Sequence, residues 1–280
     1  MIGLYAESGC GKTWSALLLA RGFCGPSGRV GMIETEGGRG EAYVGRDPVG
    51  DYLVCPIRGS FAPHAYGDAI SAAEAAQLDV LIVDSASHEW DGNGGVLSMA
   101  AENQASGVKG VLVWQKPKIE HQRHFMLRLM QTPIPLVIVC MRAKYPMVQM
   151  PGKAEWSRSI QLEPKQADDI LFEMMIHGWI DQAHNLHVTK YTLPELASVI
   201  RDGEPITEET GQMLAAWASG AVPLDVSLEV SEHDKKLATA SLAGSESLKL
   251  QWEATPKHLK KFLLENLNTV HKPAAAKAAA

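Results

Sequence analysis

The chain has 280 residues, of which 46% are apolar, and a formal net charge of −6 at pH 7. That length and apolar content give one large domain with a real core plus a small appendage and exclude disorder as the dominant state, while the acidic balance excludes a histone-like surface but leaves room for a local basic loop. No apolar run approaches the ~20 residues that span a bilayer, and no basic segment followed by an apolar one opens the chain, so the expectation is a cytoplasmic protein without membrane contact.

In chain order, apolar runs fall at residues 2–5, 29–33, 52–57, 80–84, 110–114 and 136–141. Continuous Val/Ile/Leu runs of this length read as strands of a parallel sheet buried on both faces. Between them, residues 12–23, 65–76, 96–105 and 119–131 have helical patterns. Residues 170–176 and 186–191 read as later strands, antiparallel at the sheet edge, and 208–218 as a closing helix capped by Thr207. The expected architecture is thus α/β, a doubly wound and mainly parallel sheet with helices on both faces, over residues 1–220. Residues 221–230 read as a linker, 231–272 as a small module of three helices (231–242, 245–253, 256–267), and 273–280 as a frayed Ala/Lys tail. From residue 226 onward eight lysines face six acids, which leaves −8 on the preceding residues. The module is mildly basic.

The first segment with chemistry is AESGCGKTW, Ala6 to Trp14. It departs from G-x-x-x-x-G-K-[ST] only at Ala6, which requires that this position not adopt a positive φ. Gly9 and Gly11 let successive amides turn toward one anion, and the helix that follows adds its positive end. Ala6, Glu7, Ser8, Gly9, Cys10, Gly11, Lys12, Thr13 and Trp14 are therefore the expected nucleotide-binding residues, with Lys12 on the β- and γ-phosphates and Thr13 on Mg²⁺. In VGMIETEGGRGE, Glu34 and Glu36 leave a strand two residues apart; a glutamate there can orient and deprotonate the water that attacks a γ-phosphate, so Glu36 is a candidate base and Glu34 reads as structural. In LDVLIVDS, four apolar residues run into Asp84. A carboxylate at the end of a buried strand needs a compensating charge, and Mg²⁺ beside the phosphate loop supplies one. Glu89, in SASHEW, competes with Glu36 as the base. The four cysteines lack a C-x-x-C pair and read as reduced thiols. His121 with His124, and His184 with His187, have half of a metal-site spacing and read as ordinary histidines.

Taken together, these segments resemble the ATPase core of the RecA and RadA recombinases. The resemblance rests on the phosphate loop, on Ile33-Glu34-Thr35-Glu36-Gly37 and on LIVDS; it places the catalytic glutamate at Glu36 and departs at Glu34, where the family usually has Asp. A closer resemblance is to phage-encoded ATPases of this type, a group that includes single-strand annealing proteins. IETEGGRGEAY, VDSASHEWDGNGG, IVCMRAKY and PITEETGQMLAAW carry it across residues 33–217, and AGSESLKLQWEATPKHLKKFL resembles helical modules on phage recombination proteins. The resemblance implies a RecA-like fold, ATP and Mg²⁺ as ligands, an oligomer on single-stranded DNA, and the bacterial host cytoplasm as location. It also implies a γ-phosphate sensor at Arg142, a DNA-facing loop carrying Lys144, Lys153, Arg158 and Lys165 with Tyr145 and Trp156, and a lysine, Lys190, directed at a neighbouring subunit's ATP. A nucleotide-regulated phage assembly or scaffold protein without DNA affinity is the rival expectation.

Overall fold

The computed structural model describes residues 1–149, 156–220 and 224–278. They fall into two compact units, Met1–Ala215 and Ala216–Ala280. The first begins β1 (Ile2–Ala6), α1 (Lys12–Cys24), β2 (Val30–Glu34), β3 (Leu53–Pro56), α2 (Pro63–Ala75), β4 (Val80–Asp84), α3 (Ser87–Asp91) and α4 (Val96–Ala105). It continues through α5 (Gln115–Glu120), a π-helical turn (His121–Met126), α6 (Leu127–Gln131), β5 (Leu136–Lys144), β6 (Met147–Gln149), β7 (Trp156–Arg158) and β8 (Glu163–Pro164). After α7 (Asp169–Phe172), β9 (Ile176–Ile180), β10 (Asn185–Tyr191) and β11 (Glu204–Pro205), α8 (Glu208–Ala218) closes it.

The main sheet runs β11-β10-β9-β1-β5-β4-β2-β3. The six strands from β9 to β3 are parallel, whereas β10 and β11 add antiparallel at one edge and β8 pairs antiparallel with the end of β5. The protein is therefore α/β with a mostly parallel, mixed sheet. β1, β2 and β4 are buried at every residue, as strands covered on both faces must be. Tyr5, Ile33, Val83 and Val139 pack with Tyr66 and Ile70 of α2 and with Phe125. The alternate residues Leu4, Met32, Ile82 and Ile138, also buried, turn to the face that α1 crosses. Register sets Ala6 level with Arg142 and Asp84 level with both Glu34 and Cys140. Four strands thus deliver the loop after β1, Glu34, Asp84 and Arg142 to one carboxyl edge, where open α/β sheets bind ligands.

Several expected elements are corrected. Residues 110–114 form a 3₁₀ turn rather than a strand, because β4 and β5, which flank them in sequence, pair directly with each other; Val111 is 86% exposed and only Val113 is buried. Residues 170–176 are not one strand: a helical turn places Ile170 and Met174, four apart, in the same core, and β9 begins only at Ile176. The Thr207 cap forms as expected, its Oγ1 accepting from the Thr210 amide at 3.3 Å.

In the second unit, α9 spans Leu224–Leu242, so residues 224–230 of the expected linker are helical. α10 (Ser245–Ala254), α11 (Lys257–Asn266), a π-helical turn (Leu267–His271) and α12 (Lys272–Ala278) follow. The tail is therefore helical to Ala278, and Ala275 is buried with Leu237, Leu248, Leu263 and Leu267. Alanine-rich sequence is the best helix former, which outweighs its low complexity once one face has a core to meet. No described helix is long and apolar enough to cross a membrane.

Candidate functional site

The loop between β1 and α1 turns on two left-handed glycines, Gly9 (φ 93°) and Gly11 (φ 85°). Gly11 caps α1 and accepts from the Ser15 amide at 2.9 Å, and Lys12 and Thr13 follow as the first helical residues. Ala6 ends β1 in strand geometry, so its methyl replaces a glycine at no conformational cost. The loop lies on a cavity of about 570 Å³ lined by residues 6–14 together with Glu36, Arg39, Tyr43, Arg142, Ala143 and Lys165. Every residue expected to bind nucleotide in the segment Ala6, Glu7, Ser8, Gly9, Cys10, Gly11, Lys12, Thr13 and Trp14 faces that space.

Asp84 is buried behind the loop and reaches the cavity through two residues that line it, Lys12 and Thr13. One carboxylate oxygen takes the Lys12 ammonium and the other the Thr13 hydroxyl. Burial is the largest single influence and disfavours the Lys12 charge, but Asp84, Cys140 and Glu36 together outweigh it, and the lysine pKa is raised. An alcohol oxygen and a carboxylate held together beside a cationic loop are the hard donors that Mg²⁺ accepts, so Thr13 and Asp84 fit a Mg²⁺ site and Lys12 fits a phosphate.

The two glutamates of IETEGG divide their labour. Glu34 is fully buried and accepts from the amides of Glu36 (2.7 Å) and Gly38 (3.0 Å) while Arg58 pairs with it at 2.6 Å. Its carboxylate is spent on shaping the loop. Glu36 instead lines the cavity, with Arg142 Nε at 4.0 Å on one side and Arg39 at 3.8 Å on the other. Glu89 is not among the lining residues. It is buried against His121 Nδ1 at 3.0 Å and Gln166 Nε2 at 3.3 Å, and His121 Nε2 stands 3.7 Å from Asp169. The helical turn after β4 rotates Glu89 away from the phosphate loop, which removes it as a candidate base for this cavity.

Arg39 and Tyr43 were absent from the expected site although both lie in the quoted segment GGRGEAY; the 3₁₀ turn Gly40–Tyr43 brings them back over the cavity. Trp14 and Tyr43 meet with ring centroids 5.6 Å apart and wall its outer end. His184, read from the sequence as an ordinary histidine, buttresses the loop. It is one of two non-glycine residues with positive φ among those described, and from the turn between β9 and β10 its Nδ1 donates to the Cys10 carbonyl at 2.9 Å. A Cβ on Gly11 would stand 2.8 Å from that nitrogen, so the loop glycine is required by packing as well as by φ.

The basic residues expected on a DNA-facing loop separate. Lys144 ends β5 and Arg158 lies on the β6–β7 hairpin, over the Tyr145 ring at 5.4 Å, with Trp156 62% exposed beside it. Lys165 instead lines the cavity and pairs with Asp91 at 3.7 Å. Lys153 lies outside the described residues. Lys190 donates to the carbonyls of Leu171 (3.3 Å) and Phe172 (2.8 Å), capping α7.

Fold and cavity together define an α/β protein whose mostly parallel sheet carries a glycine-rich loop, a lysine and a buried aspartate at its carboxyl edge. A scan against protein-family models gives no match, and a search of the curated proteins gives none.

Proposed function

We propose that the chain is a Mg²⁺-dependent, RecA-like ATP hydrolase of phage origin that works as an oligomer on single-stranded DNA in recombination or annealing. The observation that carries the ATPase reading is the convergence of Lys12, Thr13 and Asp84 at a glycine loop, with Glu36 and Arg142 lining the same cavity. The loop amides and the N-terminal end of α1 hold the β-phosphate, and Lys12 leaves Asp84 for the β- and γ-oxygens. Thr13 and Asp84 would hold Mg²⁺, which when bound neutralises charge on the phosphate oxygens. Glu36 orients a water and takes its proton as the water oxygen bonds to the γ-phosphorus and the bond to the bridging oxygen breaks, giving ADP and phosphate. Arg142 donates to the γ-phosphate oxygens as charge develops on them. Trp14 and Tyr43 offer aromatic faces for the base.

The DNA reading is supported by Lys144, Arg158, Tyr145 and the exposed Trp156 around one hairpin, a combination that offers phosphate neutralisation and base stacking. Two measurements test the whole. Lys12→Ala is expected to abolish ATP binding; ATP affinity that survives the change sinks the site assignment. Filter binding of single-stranded DNA across a salt series is expected to weaken steadily as salt rises. DNA affinity that is absent at low salt leaves the rival reading, a nucleotide-regulated assembly protein.

A further inference from the structure

We propose that His88 is the positioning residue for Arg142, holding the guanidinium at the cavity through a lone pair whose place is fixed by Thr35. The inference rests on the reading of Arg142 as the γ-phosphate cation. His88 sits in α3 with Nδ1 2.8 Å from Thr35 Oγ1 and Nε2 3.3 Å from Arg142 Nη1. One contact selects the tautomer: a guanidinium can only donate, so Nε2 must present a lone pair and the ring proton sits on Nδ1. Thr35 Oγ1 is able to accept that proton, since it takes the Ser85 amide at 2.8 Å and can give its own proton to the Ser85 carbonyl at 3.2 Å, a carbonyl it shares with the Tyr66 hydroxyl at 3.0 Å.

The ring is held in plane by Phe61, centroid to centroid 4.9 Å at 32°. The residue before it, Ser87, accepts the Arg142 amide on Oγ at 2.9 Å, so consecutive side chains of α3 fix both the backbone and the guanidinium of Arg142. Arg142 is otherwise a half-exposed side chain with Glu36 at 4.0 Å as its nearest carboxylate. Thr35 lies between Glu34 and Glu36, and Ser85 follows Asp84, so the chain Ser85–Thr35–His88–Arg142 joins the ends of β2, β4 and β5 around the cavity.

The test compares His88→Leu, which keeps bulk and loses the acceptor, with His88→Gln, which keeps an acceptor within reach of Arg142. His88→Leu is expected to lower kcat for ATP hydrolysis about ten-fold or more while KM for ATP stays within about two-fold, because Lys12 and the loop still hold the phosphates. His88→Gln is expected to recover most of that loss, and in an Arg142→Gln background His88→Leu should cost nothing further. Equal loss in the leucine and glutamine variants, a change confined to KM, or additivity with Arg142→Gln would each overturn the proposal. Nitrogen NMR of ¹⁵N-histidine-labelled wild-type protein without nucleotide reads the tautomer directly, whatever the hydrolysis assay gives. A proton found on Nε2 overturns the His88 inference with the ATPase reading intact, whereas the Nδ1 form in a chain that hydrolyses no ATP overturns the ATPase reading and leaves the His88–Arg142 contact standing.

Discussion

Glu34 and Glu36 carry the same functional group, and their surroundings assign it opposite tasks. Glu34 spends both oxygens on two amides and a guanidinium, whereas Glu36 faces the cavity between two half-free arginines. Glu36→Gln is therefore expected to lower kcat by about 10²–10⁴-fold with ADP affinity retained, and Glu34→Ala, which unpins the loop, to weaken nucleotide affinity as well; steady-state kinetics beside calorimetric ADP titration separates the two patterns. The sequence could place two carboxylates at the end of β2, yet only the amide positions of Glu36 and Gly38 decide which one is consumed. The same limit applied to Glu89, whose burial depends on the turn of α3. Burial raises the Glu89 pKa, with His121 pulling it partly back; burial opposes the His121 charge, but Glu89 and Asp169 outweigh it and raise that pKa too. Both folded values lie above the ordinary ones of 4.5 and 6.5, so the native state holds more protons than the unfolded chain and stability falls as pH rises through this range and past the His121 folded value. Urea midpoints of the wild type, taken relative to those of the double variant Glu89→Gln, His121→Gln, which lacks the pair, should accordingly drop as pH rises above 6.5. A difference that stays constant with pH would remove the pair as a source of the slope.

At the scale of elements, the parallel strands were legible because burial on both faces writes itself as unbroken apolar runs: IGLY, VGMIE and VLIVD became β1, β2 and β4. GVLVW carries the same signature and forms no strand, since an apolar run cannot report whether a neighbouring strand is free to pair. The contact that seats α1, the helix after the glycine loop, was equally invisible. α1 and α8 approach backbone to backbone at Gly22 and Gly211, where a Cβ on Gly211 would stand 2.3 Å from the Leu19 carbonyl. Nearby, Arg21 is 4% exposed and bonds five backbone carbonyls, among them Val49 (2.6 Å) and Asp51 (2.7 Å), with no carboxylate involved. A guanidinium carries five N–H donors and no acceptor, so it can satisfy several carbonyls at once. Arg21→Met is expected to cost about 2–4 kcal/mol, since it strands buried acceptors, and Gly211→Val to cost a similar amount by forcing α8 off α1. Thermal unfolding measures both, and a Tm within a degree of wild type for either would show that the contact does not hold α1 in place.

At the scale of the whole molecule, each unit has its own source of stability. The first unit buries a wide sheet under helices on both faces, while the core of the second is a short row of leucines, Leu237, Leu248, Leu259, Leu263 and Leu267, closed by Ala275 of α12. A helical unit of that size holds only about 3–5 kcal/mol, and deleting a buried leucine side chain removes about 2–5 kcal/mol. Leu263→Ala should therefore unfold most of the second unit at physiological temperature. The glycine loop, Asp84, Glu36 and Arg142 all lie in the first unit, on or just after strands whose pairing is complete within it. Far-UV circular dichroism of this variant is expected to lose helical signal while ADP binds with unchanged affinity. Loss of ADP binding together with the helical signal would show that the second unit supports the nucleotide site, and the site would then have to be understood as a property of the entire chain.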